Sequence, residues 1–131
     1  MLRFFLSTAA LFGVLAVILG AFGTHGLKPK LTQDQLQTFE TGIRYHFYHA
    51  LALLFLAFIS TKLQSSFIDY TGYFWIAGII LFSGSIYLLA TKELLGIGHW
   101  TWPGPVTPIG GTLLIIGWLL LLIGAITGNK L

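Results

Sequence analysis

The sequence predicts an all-α membrane protein, a compact bundle of four transmembrane helices with a short interfacial amphipathic helix before the second span. Of its 131 residues, 8% are charged and 56% are hydrophobic, whereas a soluble domain carries about 25% charged residues. The mean hydropathy is +0.86. The chain also contains four long apolar stretches, and each has the ~20 residues that a helix needs to cross a hydrocarbon core ~30 Å thick.

We predict the four spans at about residues 4–24, 43–61, 70–91 and 109–127 of a single domain, 1–131. The first span follows Arg3 and imitates a secretory signal. We expect it to be retained, because no convincing A-x-A cleavage site follows it and three more spans come after it.

The second helix has a clear start signal at Thr32. Thr32 can act as the N-cap, with Gln35 as the reciprocal partner of a capping box. Leu36, Phe39 and Ile43 then recur at i, i+3 and i+7. This spacing predicts an amphipathic segment that lies at the interface before the chain enters the membrane.

The connections predict how the spans are arranged. Residues 62–66 are too few for anything but a tight turn, so spans 2 and 3 are expected to be antiparallel neighbours. In residues 94–108, Pro103, Pro105 and Pro108 predict an ordered or re-entrant loop instead of a helix. Four spans place both termini on one side, and the Lys and Arg distribution favours neither orientation.

Small residues recur at helical spacing in the spans. In the first span they alternate at intervals of four and three, and in the fourth span glycines recur every seven residues. Such seams let helix backbones approach closely, and packing within the bundle is favoured over a face for a second copy. The predicted packing positions are Gly13, Gly20, Gly84, Gly110, Gly117 and Gly124.

The histidines are predicted to gather toward one membrane face. Two of them lie near the entry of span 2 and share a helix face with Tyr45, while Glu40 and Arg44 lie on the opposite face with the spacing of an ion pair. The other two follow span 1 and lie in the loop between spans 3 and 4. The candidate polar or ligand cluster is His25, Glu40, Arg44, Tyr45, His46, His49 and His99.

The chemistry of these residues favours a structural role. Histidines at i, i+3 can bind a transition metal, but buried imidazoles that bond to carbonyls and tyrosines are the favoured interpretation, so we predict no metal and no cofactor.

We expect no acidic or basic side chain within the spans and no nucleophile paired with a carboxylate there. This predicts neither an enzyme nor an ion-coupled transporter. The scattered Lys and Arg residues predict no nucleic-acid binding.

Three ordered motifs resemble a known family. They are GAFGTHGL at 20–27, FETGIRYHFYHALALL at 39–54 and PIGGTLLIIGW at 108–118. The chain is similar to small four-helix membrane proteins of unknown function, with YgdD- and YwdK-like bacterial members and animal relatives. The resemblance implies four spans in a bacterial inner membrane or an organellar membrane, and no established activity. The matching positions are His25, Gly26, Gly42, Tyr45, His49, Gly110, Gly111 and Trp118.

Three functions are open at this point. The first is a non-enzymatic accessory or scaffold component, whose partners are the lipid bilayer and other membrane proteins or a second copy. The second is a binding module that holds a metal, a quinone or a lipid headgroup at a histidine-lined end of the bundle. The third and least favoured is a transporter of a small solute, which predicts a polar cavity that reaches the bilayer midplane.

Overall fold

The computed structural model describes residues 1–130, and most of them belong to four long helices. These are α1 (Leu2–Leu27), α2 (Gln33–Ile59), α3 (Ser66–Thr91) and α4 (Pro103–Thr127). Each helix is long and apolar enough to cross a membrane, with about 1.5 Å of rise per residue. The predicted class, a helical membrane bundle with four spans, is confirmed.

The first span continues past its predicted end with a change of winding. Leu2–Val17 is α-helical, Ile18–Gly23 is π-helical, and Thr24–Leu27 adds a last α-helical turn. A π-helical turn is wider than an α-helical one, is rare, and is frequently found at functional sites. The side of α1 that faces the beginning of α2 therefore has an irregular backbone.

The second span begins at the predicted capping box. Thr32 Oγ1 accepts a hydrogen bond from the backbone N–H of Gln35 at 3.2 Å, and Gln35 Oε1 accepts one from the Thr32 N–H at 3.0 Å. The amphipathic segment is not a separate helix, because α2 runs without a break from Gln33 to Ile59. No proline interrupts it, and a single glycine at position 42 costs a helix only about 1 kcal/mol.

The prediction of a loop over 94–108 is wrong in its last six residues. The helix α4 begins at Pro103, where proline is tolerated because the first N–H groups of a helix have no partner within it. Pro105 also lies in that first turn. Pro108 lies inside the helix and gives up one backbone hydrogen bond, which a membrane helix accepts when its neighbours pack around the gap.

The helices pack in sequence order around one buried core. α1 packs on α2, α2 on α3, and α3 most closely on α4. Large apolar side chains from all four helices meet there and are buried. They are Phe5 from α1, Leu53 and Leu56 from α2, Ile68, Trp75 and Ile79 from α3, and Leu114 from α4.

Both described chain ends lie at one end of the bundle, which we name the terminal end. The strand β1 (Leu63–Gln64) pairs antiparallel with β2 (Asn129–Lys130), so the C-terminal segment is tied to the turn between α2 and α3. Met1 lines a cavity of about 630 Å³ together with residues of that same turn. The opposite end, with residues 28–32 and 92–102, is named the loop end.

Glycines allow α4 to approach α3 closely. A Cβ atom added at Gly110 would overlap the backbone of Phe82, and one added at Gly117 would overlap the indole of Trp75. At Gly124 the added atom would lie 2.9 Å from Ile68. The seven-residue repeat of the fourth span therefore marks the closest helix contact in the fold.

The other predicted packing glycines stand in looser surroundings. At Gly20 an added Cβ would lie 3.5 Å from Ile43, an ordinary contact. At Gly13 and Gly84 it would meet nothing within 4 Å, so the predicted packing role is wrong for these two. On α1 the buried small residues are alanines such as Ala9 and Ala16, because that face of the seam is the one turned toward the core.

Candidate functional site

Two buried histidines lie at mid-depth in the bundle. His46 is midway between the first and last residues of α2, and His49 follows one turn later. Their exposed fractions are 4% and 5%. The helix α2 begins at Gln33, ten residues before the predicted start of the span, so His46 lies about 20 Å along the helix from its first residue. Both rings are therefore surrounded by other helices and are far from the bundle rim.

His49 has both ring nitrogens in hydrogen bonds. Nδ1 lies 2.8 Å from the carbonyl oxygen of Tyr45, which can only accept, so Nδ1 carries a proton. The indole N–H of Trp118 donates to Nε2 at 3.0 Å, so Nε2 carries none. These two contacts define a neutral imidazole that joins α2 to α4. Edge-on contacts with Trp75 and Trp118, both at 6.0 Å between ring centres, complete its surroundings.

The Tyr45 side chain takes a different role from the one its helical position suggested. Its carbonyl oxygen, not its phenol oxygen, is the hydrogen-bond partner of His49. Its ring stacks beside the His49 ring at 6.4 Å between centres and packs edge-on against Phe82 at 5.2 Å, and the residue is 43% exposed. Tyr45 and His49 line a lipid-facing groove of about 330 Å³ beside Trp118. His49 offers no free hydrogen-bonding group to a molecule in this groove, because both His49 ring nitrogens already have partners.

His46 has one nitrogen bonded and one free. Nδ1 lies 2.8 Å from the Tyr87 hydroxyl, and either group can donate. Nε2 is buried and makes no hydrogen bond of good geometry within residues 1–130, although the Phe12 backbone lies beside the ring, and such an atom is rare in a protein interior. The ring also borders an apolar groove of about 330 Å³, here named the His46 groove. Its other lining residues include Phe12, Leu15, Ile79, Ser83, Gly84 and Tyr87.

Hydroxyl groups at depth connect the helices. Ser83 of α3 donates to the carbonyl oxygen of Gly42 in α2 at 2.8 Å. Ser85 of α3 and Thr107 of α4 share a hydrogen bond of 2.6 Å. Sequence reasoning missed these contacts and the Tyr87 hydroxyl, because a helical serine or threonine more often bonds to its own preceding turn. The available signal was the pair of serines in the middle of an otherwise apolar span.

Glu40 and Arg44 do not form the predicted ion pair. Arg44 Nη2 donates instead to Thr41 Oγ1 at 3.0 Å. Glu40 is half-buried and Arg44 is exposed, and both lie well inside α2. The expectation that the spans hold no acidic or basic side chain is therefore wrong. The two side chains line a cleft of about 270 Å³ between α1 and α2, here named the Glu40–Arg44 cleft, together with Gly20, Thr24 and Ile43.

The other two histidines are remote from this pair. His25 is exposed in the last turn of α1, and His99 is exposed in the loop after α3, edge-on to Trp100. They lie at the loop end, whereas His46 and His49 lie at mid-depth, so the predicted gathering of four histidines is wrong. Within residues 1–130, no group of three or more His, Cys, Asp or Glu side chains is placed to hold a metal ion.

The fold and the mid-depth site together define a class: a small multi-pass integral membrane protein whose interior polar groups mostly join its own helices. Residues 19–111 match the family described as "Protein of unknown function (DUF423)". The chain belongs to that family, and the resemblance stated from its motifs is confirmed.

Relatives cover almost the whole chain. The "UPF0382 membrane protein YwdK" of Bacillus subtilis is 39% identical over 126 residues, which is 95% of this chain and 98% of the relative. The "UPF0382 membrane protein SSP2132" of Staphylococcus saprophyticus is 40% identical over 123 residues, or 94% and 97%. The "UPF0382 inner membrane protein YgdD" of Escherichia coli is 39% identical over 124 residues, or 95% and 90%. This last name agrees with the predicted bacterial inner-membrane location. No solved structure matches the chain.

Proposed function

We propose that the chain is a non-enzymatic component of the membrane, an accessory or scaffold protein whose fixed bundle presents apolar surfaces to other membrane proteins. The observation that carries this proposal is the use of polar side chains at depth. Ser83 bonds to Gly42, Ser85 to Thr107, and Trp118 to His49. Catalysis requires polar groups that are free to meet a substrate, and these groups are occupied with one another.

The outer faces of the bundle support the same proposal. On α4, Ile115, Leu122 and Ile126 are 62%, 56% and 75% exposed. On α1, Leu11 and Val14 are 57% and 56% exposed. Large apolar side chains on a membrane helix contact either lipid or another helix. A helix of a partner protein could therefore cover these side chains. The three exposed side chains of α4 recur at i, i+7 and i+11 and so share one side of the helix, which makes this face a suitable one to test.

Photocrosslinking in native membranes tests the proposal. A photoreactive side chain is placed at Leu122 or Ile126 of α4, and at Leu95 in the exposed loop as the matched control. We expect a discrete product with one protein partner, or with a second copy, from the α4 positions and none from Leu95. Diffuse lipid adducts from all three positions would contradict a scaffold role.

A second candidate function, a binding module, is favoured by one specific observation. The buried Nε2 of His46 lacks a partner and belongs to a ring that borders an apolar groove at mid-depth. A single nitrogen is a poor metal site, and a groove with an almost wholly apolar lining does not suit a charged lipid headgroup. The ligand class that remains is a membrane-dissolved quinone or similar molecule with one hydrogen-bonding group.

Two substitutions of His46 distinguish the candidates. In His46→Asn the amide takes the place of Nδ1 and retains the Tyr87 bond, while Nε2 is lost. In His46→Gln the amide takes the place of Nε2 and the Tyr87 bond is lost. We expect His46→Asn to keep the free energy of unfolding of the wild type and His46→Gln to lower it by about 1 kcal/mol, measured by denaturation in mixed micelles. A quinone that copurifies with the wild type and the Gln variant, but not with the Asn variant, would favour the binding module.

A further inference from the structure

The Glu40–Arg44 cleft holds two opposite charges that do not form an ion pair with each other. At about 1.5 Å per residue, Glu40 and Arg44 lie roughly 10 and 16 Å along the axis from the first residue of α2. Charged side chains at such depth are costly unless they find a partner, and long ones reach toward the headgroups. Within residues 1–130, the guanidinium of Arg44 has one hydrogen-bond partner, the neutral hydroxyl of Thr41.

We propose that this cleft binds the headgroup of a zwitterionic phospholipid that carries a primary ammonium, as in phosphatidylethanolamine. The phosphate lies on the Arg44 guanidinium and the ammonium lies on the Glu40 carboxylate. Arginine binds phosphate oxygens through paired N–H groups, and an ammonium donates up to three hydrogen bonds to a carboxylate. The site is independent of the scaffold role and requires only that α1 and α2 span a bilayer.

The order of the charges matches the order of groups in such a lipid. Passing from water toward the bilayer centre, a phosphatidylethanolamine molecule presents its ammonium, then its phosphate, then its acyl chains. Passing inward along α2 from the loop end, the cleft presents Glu40 first and Arg44 one turn deeper. The anion therefore lies at the depth of the lipid cation, and the cation at the depth of the lipid anion.

The walls of the cleft fit the same occupant. Thr24 brings a hydroxyl to the outer part of the cleft, where a headgroup lies. The inner part is bordered by Gly20 and by the π-helical segment Ile18–Gly23 of α1. Ile43 of α2 adds an apolar side chain to the same cleft, where the beginning of an acyl chain would lie. The irregular winding of α1 thus lies where the lipid is proposed to bind.

Lipid retention by the purified full chain tests the site. The protein in detergent is mixed with phosphatidylethanolamine, phosphatidylcholine or phosphatidylglycerol, and bound lipid is counted by native mass spectrometry. We expect the wild type to retain phosphatidylethanolamine roughly tenfold better than phosphatidylcholine. Arg44→Gln is expected to weaken retention of all three lipids roughly tenfold. Glu40→Gln is expected to bind phosphatidylethanolamine and phosphatidylcholine equally.

The controls separate binding from general charge and from folding. Lys28→Gln removes an exposed charge outside the cleft and is expected to retain lipid like the wild type. The double variant Glu40→Arg/Arg44→Glu keeps both charges in reversed order and is expected to lose the preference, with unchanged helical circular dichroism. Equal retention of all three lipids by the wild type would overturn the proposal, and so would an unchanged preference in the reversed variant. Displacement by free phosphoethanolamine at the same concentration as the lipid would overturn the assignment to a membrane lipid.

Discussion

Gly110→Ala is expected to lower the free energy of unfolding by about 3 kcal/mol or more, the largest effect of any single added methyl group in this fold. The new Cβ would overlap the backbone nitrogen and Cα of Phe82, and a backbone cannot rotate aside as a side chain does. The α3 and α4 helices would have to separate along their whole contact. Helix propensity alone would favour the change by up to about 1 kcal/mol, so the clash must exceed that gain.

The matched control for Gly110 is Gly84→Ala, since an added Cβ at Gly84 meets nothing within 4 Å. We expect this variant to equal or slightly exceed the wild type in stability. Gly117→Ala should fall between the two, because its clash is with the indole of Trp75, a side chain, and not with a helix backbone. Each variant is unfolded from a mild detergent with sodium dodecyl sulfate and followed by circular dichroism. This measurement gives the three free energies of unfolding. If the Gly110 and Gly84 variants are equally stable, the close approach of α3 and α4 is contradicted.

The contrast between these glycines explains what sequence could predict about packing. Gly110 and Gly84 both belong to seven-residue repeats of small residues. A repeat states which residues share a helix face, but it does not state whether a neighbouring helix covers that face. That depends on the arrangement of the other helices, so the sequence predicts the face, while the tertiary fold decides its use.

The position of the histidines along α2 could not be predicted for a related reason. The four spans and the capping box at Thr32 follow from local composition and spacing, and both are confirmed. The predicted second span, 43–61, holds Arg44 and His46 near its start, and placing them farther along their helix required knowing that the amphipathic segment and the span form one continuous helix. Polarity of the first turns argued for an interface location, yet the loop end of α1 packs beside them. A helix partly covered by a neighbour tolerates polar residues that an isolated span does not.

The hydrogen bond between His49 and Trp118 is expected to show strong coupling in a double-mutant cycle. His49→Phe leaves the indole N–H without its acceptor, and Trp118→Phe leaves Nε2 without its donor. We expect each single variant to cost about 1–2 kcal/mol, at the upper end for membrane proteins because the pair also packs against Trp75.

The double variant is expected to cost little more than the costlier single one, because the second substitution removes a group that the first has already left unpaired. The control cycle pairs His46→Phe with Trp118→Phe. His46 bonds to Tyr87 on α3 instead of to α4, so these two costs should add. Unfolding free energies in mixed micelles give both cycles. Additive costs for His49 and Trp118 would mean that packing alone, without the hydrogen bond, joins α2 to α4 at mid-depth.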